Sequence, residues 1–327
     1  MQIVSNEKII LLKEFIEKHD FFFIAGHKEP DGDCVYSCLA FSRILNYFKK
    51  EYQLLNAGSF KRNEIYDKAE LFSDVPQFLS EPERKKTGLF ILDCSELKRL
   101  GDLENDLKGL DTFTIDHHIT AEETPYSIID PSSPATACIV QQIYEKIIGE
   151  LNPEVANEIF FGQSTDTGYF RFLDEKSEEV FLQTARLVKA GVNPRKMYDK
   201  ITGGKLYNTR KLLGVLLAKS EQYYGGKLII TYETMEDTKK FGMDGRDSDS
   251  LYSLLLAVEN VEAVIFIRQD TEYSCTVGLR SKDKVDVSSI AQKFGGGGHK
   301  NAAGLSIQGT ISTVLPSLQK EFSKIFK

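Results

Sequence analysis

The fold of this chain can be predicted from one charged stretch and its flanks, Gly26-His27-Lys28-Glu29-Pro30-Asp31-Gly32-Asp33. The apolar run before it, residues 21–25, is typical of a strand that is buried on both faces. Residues 34–48, which follow it, carry apolar side chains at helical spacing. The stretch is therefore predicted to form a turn at the carboxyl end of a buried strand, which is the edge of an open α/β sheet where ligands bind.

The polar residues of this turn are candidates for a cation site. His27, Asp31 and Asp33 lie close enough on a Pro/Gly turn to converge on a small volume. Two carboxylates that approach each other repel and raise each other's pKa, so a cation between them is the simplest explanation. The alternative is that these residues only cap the following helix and shape the turn. The rest of the chain must decide between the two.

Further acids and imidazoles follow other predicted strands. Asp93 ends the apolar run 88–92, and Asp116-His117-His118 ends the run 112–115. Strands that are apolar throughout and alternate with helices predict a parallel sheet covered by helices on both faces. The polar groups should then meet at one edge of that sheet. Asp166 follows a predicted helix, 153–163, so the pattern alone does not place it at this edge.

The chemistry of these side chains favours two divalent ions. Carboxylate oxygens with a minority of imidazoles, and without thiolates, suit Mn²⁺ or Mg²⁺ better than structural zinc. Two metals about 3.5–4 Å apart are the usual device for displacement at phosphorus. Asp93, on a strand in the middle of the sheet, is the best-placed bridging ligand. Asp116 is expected to orient a neighbouring imidazole instead of binding a metal.

The length of 327 residues predicts two domains. We assign residues 1–190 to the metal-binding domain, 191–205, which are rich in helix breakers, to a linker, and 206–327 to a smaller α+β domain. In the latter we predict a hairpin over 222–232 with a Gly-Gly turn, a helix at 248–258, and strands at 261–268 and 273–279.

Composition limits the partners. A net charge of −7 argues against a duplex nucleic-acid surface but not against a small anionic substrate, because bound cations reverse the local sign. No apolar run is long enough to span a membrane, and no signal pattern opens the chain. The five cysteines form no CxxC pair, which predicts a reduced, cytoplasmic protein. Self-association is left open.

A glycine-rich segment marks the second domain, Gly295-Gly296-Gly297-Gly298-His299. Bare backbone N–H groups in such a run can cradle a phosphate, and the imidazole can add a charge-assisted hydrogen bond. The alternative is a flexible hinge. Arg280, at the end of a predicted strand, is a candidate phosphate ligand, although a solvated arginine fits the sequence equally well.

Together these motifs resemble those of the DHH phosphoesterase family in order and spacing, and the length resembles its nano-RNase/pAp phosphatase group. The resemblance implies hydrolysis of short oligoribonucleotides and of the 3′-phosphate of adenosine 3′,5′-bisphosphate (pAp) with two divalent ions, Mn²⁺ first and Mg²⁺ second. It implies His27, Asp31 and Asp93 on one metal and His118 on the scissile phosphate. It implies the second-metal ligands Asp33, Asp93, His117 and Asp166, and a substrate grip by Arg280, Gly296, Gly297, Gly298 and His299 in a cleft between the domains.

One position departs from the family pattern. Tyr36 stands where the family often has glycine, and we expect its bulk to shift the first helix or narrow the site. The closest alternative activity is a cyclic di-AMP or linear dinucleotide phosphodiesterase. An inorganic pyrophosphatase, or a nucleotide sensor that binds without cleaving, fits less well, because the glycine-rich segment suggests a larger substrate and a pure binder would not need a metal pair.

Overall fold

The computed structural model describes residues 3–242, 246–282 and 284–326. The chain divides into two compact units, 1–204 and 205–327. None of the helices in the described ranges is long and apolar enough to cross a membrane.

The first unit is built on a parallel sheet. Among the described residues this sheet is five-stranded with the order β2-β1-β3-β4-β5, which confirms the predicted α/β class. Short 3₁₀ helices span Tyr66–Leu71 and Leu97–Leu103. The strands are β1 (Phe21–Gly26), β2 (Glu51–Leu55), β3 (Thr87–Leu92), β4 (Asp111–Asp116) and β5 (Ser127–Ile129). The helices are α1 (Asn6–Lys18), α2 (Gly32–Tyr47), α3 (Glu81–Arg84), α4 (Glu104–Leu107), α5 (Thr136–Ile147), α6 (Pro153–Asp166), α7 (Glu178–Lys189) and α8 (Pro194–Thr202).

Both faces of this sheet are buried, which explains why its strands are apolar throughout. Along β1, Phe22 and Ile24 belong to the core on the face covered by α1, α2, α5 and α6. Phe23 and Ala25 point the other way, into a smaller core that includes Leu100. Successive strand side chains alternate between faces, so a strand covered on both sides must be apolar at every position.

The predicted linker is structured. Asn193 caps α8 by accepting a hydrogen bond from the Lys196 amide, and Pro194 begins the helix. Met197 of α8 is 8% exposed in the main core of the first unit. The breaker residues at 191–194 therefore mark a helix start, and the boundary between the compact units lies at Gly204.

The second unit is a mixed α/β structure with mainly antiparallel pairing, as predicted. Within the described ranges its sheet is six-stranded with the order β10-β11-β9-β8-β7-β6, and only β7 and β8 pair in parallel. The predicted hairpin is present as β6 and β7. The strands are β6 (Glu221–Tyr223), β7 (Leu228–Glu233), β8 (Ala263–Thr271), β9 (Ser274–Ser281), β10 (Gly297–His299) and β11 (Ala302–Gln308). The helices are α9 (Tyr207–Ala218), α10 (Met235–Phe241), α11 (Ser248–Leu256), α12 (Val287–Lys293) and α13 (Ile311–Phe322).

Candidate metal centre and substrate pocket

The strand register brings the polar groups of the first unit to one edge. Gly26 of β1 pairs with Leu92 of β3, and Leu92 pairs with Ile115 of β4. The residues that follow these partners are His27, Asp93 and Asp116. Neighbouring parallel strands that end in step therefore place an imidazole and two carboxylates side by side, as the sequence predicted.

Asp93 lies at the centre of this edge and faces two imidazoles. Its Oδ2 lies 3.4 Å from Nε2 of His27, and its Oδ1 lies 3.5 Å from Nε2 of His117. The hydroxyl of Thr136 also donates a hydrogen bond to Oδ1, at 2.9 Å. Asp93 is only 2% exposed and has a φ of 61°, a left-handed conformation that is uncommon outside glycine and often found at functional sites.

The tautomers of both imidazoles follow from their outer contacts. Nδ1 of His27 lies 3.1 Å from the carbonyl oxygen of Lys28, and Nδ1 of His117 lies 3.1 Å from that of Ser133. A carbonyl only accepts, so each Nδ1 carries a proton. In a neutral ring Nε2 then offers a lone pair toward the carboxylates. Among the described residues, Nε2 of His117 is buried and makes no contact with hydrogen-bond geometry.

Two helix ends complete the group around His117. Asp33 lies in the first turn of α2, and Asp166 is the last residue of α6. Oδ2 of Asp166 lies 3.3 Å from Nε2 of His117. A Cβ at Gly162 would lie 2.8 Å from Oδ1 of Asp33, so the glycine permits α6 to pass this close to the carboxylate. Asp166, which the sequence pattern alone could not place, therefore lies within the cluster.

Asp33 is fully buried at the start of α5. Its Oδ2 accepts from the amide of Thr136 at 2.6 Å, and its Oδ1 accepts from the amide of Ala137 at 2.9 Å and from the hydroxyl of Ser37 at 3.0 Å. Positive partial charge at a helix N-terminus favours a carboxylate there. These contacts hold the side chain in one orientation, and Oδ2, which accepts a single hydrogen bond, keeps lone-pair capacity for a cation.

The electrostatics of the polypeptide alone favour retained protons. Burial and the charge of Asp166 raise the pKa of Asp33 to about 7. Burial and the charge of Asp33 raise the pKa of Asp93 well above its usual value. Burial opposes the imidazolium of His117, but the nearby carboxylates of Asp166 and Asp33 outweigh it and raise its pKa to about 10. Likewise, burial opposes the imidazolium of His27, but hydrogen bonding to Cys34 and nearby negative charge raise its pKa to about 9. Protons thus fill the role that bound cations would take.

The cluster contains three groups of side chains that could hold a cation. One group of candidate ligand atoms, mutually within 4.8 Å, comes from His27, Cys34 and Asp93. Two more such groups pass through His117: one adds Asp93 and His118, the other Asp33 and Asp166. Because Asp93 appears on both sides and turns one oxygen to each imidazole, it is placed as a bridging ligand would be. The orphaned Nε2 of His117 and the carboxylate-rich donor set fit divalent cations such as Mn²⁺ or Mg²⁺.

Asp31 and Cys34 lie near His27, but neither has the features of a straightforward metal ligand. Asp31 caps α2 by accepting from the Cys34 amide at 3.1 Å, and the same Oδ1 lies 3.9 Å from Nε2 of His27. Asp31 is not part of the groups of candidate metal ligands formed by the described residues. It therefore acts as a helix cap, as in the alternative interpretation, and also lies next to the candidate metal site. Cys34 stands inside one, but a hydrogen bond with Cys38 and burial raise the pKa of its thiol well above normal, which disfavours the thiolate.

Asp116 contacts His118, as expected of an orienting residue. Its Oδ1 accepts from Nδ1 of His118 at 2.7 Å and from the amides of His117 and His118 at 2.7 and 3.1 Å. The bond to Nδ1 leaves Nε2 as the ring atom of His118 that is available to a ligand. The His118 side chain is 44% exposed, compared with 11% for His27 and 15% for His117, so it is accessible to a substrate.

The second unit has a separate basic pocket of about 440 Å³. Arg280 lines it with its guanidinium carbon 4.6 Å from the ring centroid of Tyr252, and Gly297 and Gly298 line it as well. Arg246 and Arg268, which the sequence analysis missed, also line it but are paired with Glu233 and Asp270. Within the described ranges, Arg280 makes no ion pair, which leaves its charge available to an anion. No local sequence pattern indicates which of these arginines is paired with an acid.

Much of the glycine run is explained by packing. Gly297–His299 form β10, paired with β11, instead of an open loop. A Cβ at Gly296 would lie 2.3 Å from the carbonyl oxygen of Gly304, and one at Gly298 would lie 2.5 Å from that of Ala302. Gly297 has no such neighbour, so its bare backbone remains accessible at the pocket. His299 is exposed at the end of β10 and is not among the residues that line the pocket.

Tyr36 does not narrow the metal centre. Its ring is 4% exposed and stacks on Phe161 with centroids 4.0 Å apart, and Lys200 donates to its hydroxyl at 2.8 Å. These residues line a cavity of about 490 Å³ that includes none of the predicted metal ligands. Phe161 of α6 and Lys200 of α8 form the environment of the Tyr36 side chain, and the sequence pattern could not reveal these contacts.

Comparison with known proteins agrees with this architecture. Residues 22–162 match the family model for the DHH family N-terminal domain, and residues 225–327 match that for the DHHA1 domain. The chain is 30% identical over 326 residues to the bifunctional oligoribonuclease and PAP phosphatase NrnA of Thermus thermophilus, covering 97% of this chain and 95% of the relative. It is 24% identical over 309 residues to the cyclic-di-AMP phosphodiesterase PdeA of Listeria monocytogenes, covering 89% of this chain and 46% of that protein.

A solved structure shares the fold. The exopolyphosphatase-related protein from Bacteroides fragilis is 22% identical and gives a TM-score of 0.85, with 100% of this chain and 99% of that chain covered. The two matched domains and the end-to-end similarity show that this chain belongs to the DHH phosphoesterase family, in the group of the bifunctional oligoribonuclease and PAP phosphatases.

Proposed function

We propose that this protein is a two-metal phosphoesterase that hydrolyses short oligoribonucleotides and the 3′-phosphate of pAp. The observation that carries the proposal is the position of Asp93, which turns one carboxylate oxygen to His27 at 3.4 Å and the other to His117 at 3.5 Å. A single carboxylate between two sets of ligands favours a pair of ions at short separation. The relative at 30% identity bears the matching substrate names.

The residues of the first unit divide into two ligand sets in this proposal. His27, Asp31 and Asp93 hold one ion, and a second set holds the other: Asp33, Asp93, His117 and Asp166. When bound, two divalent ions activate water and stabilise the charge that develops at phosphorus. The carboxylate and imidazole donors favour Mn²⁺ first and Mg²⁺ second.

His118 acts on the substrate directly. Asp116 holds Nδ1 of the ring at 2.7 Å and thereby directs Nε2 to a non-bridging phosphate oxygen. The 44% exposure of this imidazole, compared with 11% for His27 and 15% for His117, separates a substrate contact from the metal ligands.

The pocket of the second unit holds the part of the substrate that does not react. Arg280 supplies a guanidinium that no acid in the described ranges neutralises, and Gly297 supplies accessible backbone. A guanidinium matches a phosphate bidentately, which suits a substrate with a second phosphate such as pAp or a 5′-phosphorylated dinucleotide. His299 is proposed to join this grip from the end of β10.

A product assay tests the proposal. The purified chain would be assayed against pAp, di- to pentaribonucleotides, cyclic di-AMP and pyrophosphate. Each substrate would be tested with Mn²⁺, with Mg²⁺ and with a chelator under otherwise identical conditions. We expect metal-dependent release of phosphate from pAp and of mononucleotides from the linear oligomers. Preferential opening of cyclic di-AMP would assign the alternative activity instead, and nucleotide binding without any turnover would indicate a sensor.

A further inference from the structure

The segment that follows Asp166 has an unusual backbone. Gly168, Tyr169 and Phe170 are consecutive and have φ values of 56°, 57° and 67°. A left-handed conformation is readily adopted by glycine but is rare for an aromatic residue, and strain of this kind persists only where the surroundings impose it. Since Gly168 is two residues beyond a proposed metal ligand, this strain is located at the edge of the metal centre.

The two strained aromatic residues anchor the segment to the body of the unit. The amide of Tyr169 donates to the carbonyl of Ser164 at 2.6 Å, and the Tyr169 hydroxyl donates to the carbonyl of Pro194. The amide of Phe170 donates to the hydroxyl of Thr167 at 2.9 Å, and its ring packs edge-on against that of Phe160 at 5.7 Å. The segment is therefore a fixed turn.

The turn presents an aromatic ring to solvent. Phe172 is 71% exposed, although the aromatic residues before it are packed. Its amide donates to the carbonyl of Thr167 at 3.1 Å, and its ring lies so close over Gly168 that a Cβ there would be 2.4 Å from the ring edge. Single exposed apolar residues need no explanation. An exposed ring held by a strained turn beside an acidic cluster does.

Arg171 holds a cation beside this ring. Its Nε donates to the carbonyl of Gly168 at 2.8 Å, and its guanidinium carbon lies 5.5 Å from the centroid of Phe172. A phenyl ring and a guanidinium plane in this arrangement are the two kinds of surface on which nucleobases stack. Because Phe172 is 71% exposed, its ring is accessible to such a base.

We propose that Phe172, supported by Arg171, is the stacking surface for the nucleobase next to the scissile phosphate and is the residue by which this site prefers nucleotides to phosphoesters without a base. The inference rests on the proposed phosphoesterase function and names the part of the substrate that the metal centre itself does not recognise. Removing one base–aromatic stack lowers affinity by about 5- to 150-fold.

The test compares pAp with its abasic analogue, the same sugar bisphosphate without adenine, on the full chain loaded with Mn²⁺. We expect Phe172→Ala to lower kcat/KM for pAp by about 5- to 150-fold and to change that for the abasic analogue less than about twofold. Phe172→Trp should restore the preference, because indole also stacks. Tyr47→Ala is the matched control: its side chain is 57% exposed at the far end of α2, roughly 20 Å along the helix from Asp33.

Each other outcome overturns the inference and identifies what failed. Equal losses on both substrates would mean that Phe172 supports the turn without contacting the base, and unchanged kinetics would mean that the base lies elsewhere. If the unaltered protein hydrolyses the abasic analogue as well as pAp, no base recognition exists to be assigned. If it hydrolyses neither, the proposed function fails first and the stacking assignment falls with it.

Discussion

The substitution Asp116→Asn tests how the metal centre acts on its substrate. Oδ1 of Asp116 accepts three hydrogen bonds, from the amides of His117 and His118 and from Nδ1 of His118, while Oδ2 is buried and makes none with the described residues. Asparagine retains the shape and one acceptor oxygen, so the backbone bonds can persist. The substitution removes the negative charge that strengthens the contact with the imidazole.

The magnitude follows from the difference between charged and neutral hydrogen bonds. A bond to a charged group contributes about 1.5–3 kcal/mol and a neutral one about 0.5–1.5 kcal/mol. A loss of about 1–2 kcal/mol corresponds to roughly a 5- to 30-fold lower rate, and orienting residues in metal sites typically cost about 10–100-fold. Because His118 is assigned to the substrate and not to a metal, the first range applies: we expect kcat/KM on pAp to fall by about 5- to 30-fold, with metal content unchanged.

The assay is steady-state kinetics with parallel metal analysis. Asp237→Asn serves as the control, since Asp237 is similarly buried at 9% in the second unit and its Oδ2 accepts from Lys219 and from the Thr234 amide. Full activity in the Asp116 variant would refute the orienting role. Loss of metal together with activity would instead make His118 a ligand, as its proximity to Asp93 and His117 also permits.

Three further predictions follow from the geometry. Arg280→Gln should raise KM for pAp by about 10-fold or more with a smaller effect on kcat, and a KM like that of the unaltered protein would exclude the pocket arginine from binding. Tyr36→Ala should lower the free energy of unfolding by about 3–5 kcal/mol, measured by denaturant unfolding, and leave the ratio of pAp to dinucleotide turnover unchanged; an altered ratio would restore Tyr36 as a determinant of substrate size. Because the pKa of His27 is raised to about 9 and that of His117 to about 10 in the polypeptide alone, both rings hold protons at neutral pH and lose them as the pH rises. Mn²⁺ must displace those protons, so its affinity should increase with pH and its binding should release protons. Calorimetry between about pH 6 and 8 measures both. Binding that does not depend on pH would contradict the ligand assignment.

The metal centre was largely predictable because it depends on chain direction. A buried parallel strand must be apolar, and the first polar residues after it mark its carboxyl end. The sequence alone therefore predicts that His27, Asp93 and Asp116 lie at one edge of the sheet. Asp166 could not, since a residue that ends a helix is positioned by how that helix packs. Here Gly162, with Asp33 against it, determines how close α6 comes.

Other features depended on contacts that no local pattern reports. The breakers near Pro194 indicated a linker, but they start α8, whose Met197 is buried in the first core. The bulk of Tyr36 suggested a narrowed site, but Phe161 stacks on the ring away from the predicted metal ligands. Glycines 296 and 298 suggested an anion cradle, which stays a prediction; each also has a backbone carbonyl where a Cβ would be, so packing requires glycine there as well. For Met197 and Tyr36, the residue's role is set by a partner distant in sequence.

The most direct test of the account is the number of metal ions bound by the full chain, counted by titration with Mn²⁺ and located by anomalous scattering. We predict two ions per chain in the unaltered protein, one on each side of Asp93. Both should bind more weakly in Asp93→Ala, because each ion uses this shared ligand. A single ion, or a pair whose binding is unaffected by the loss of Asp93, would contradict it.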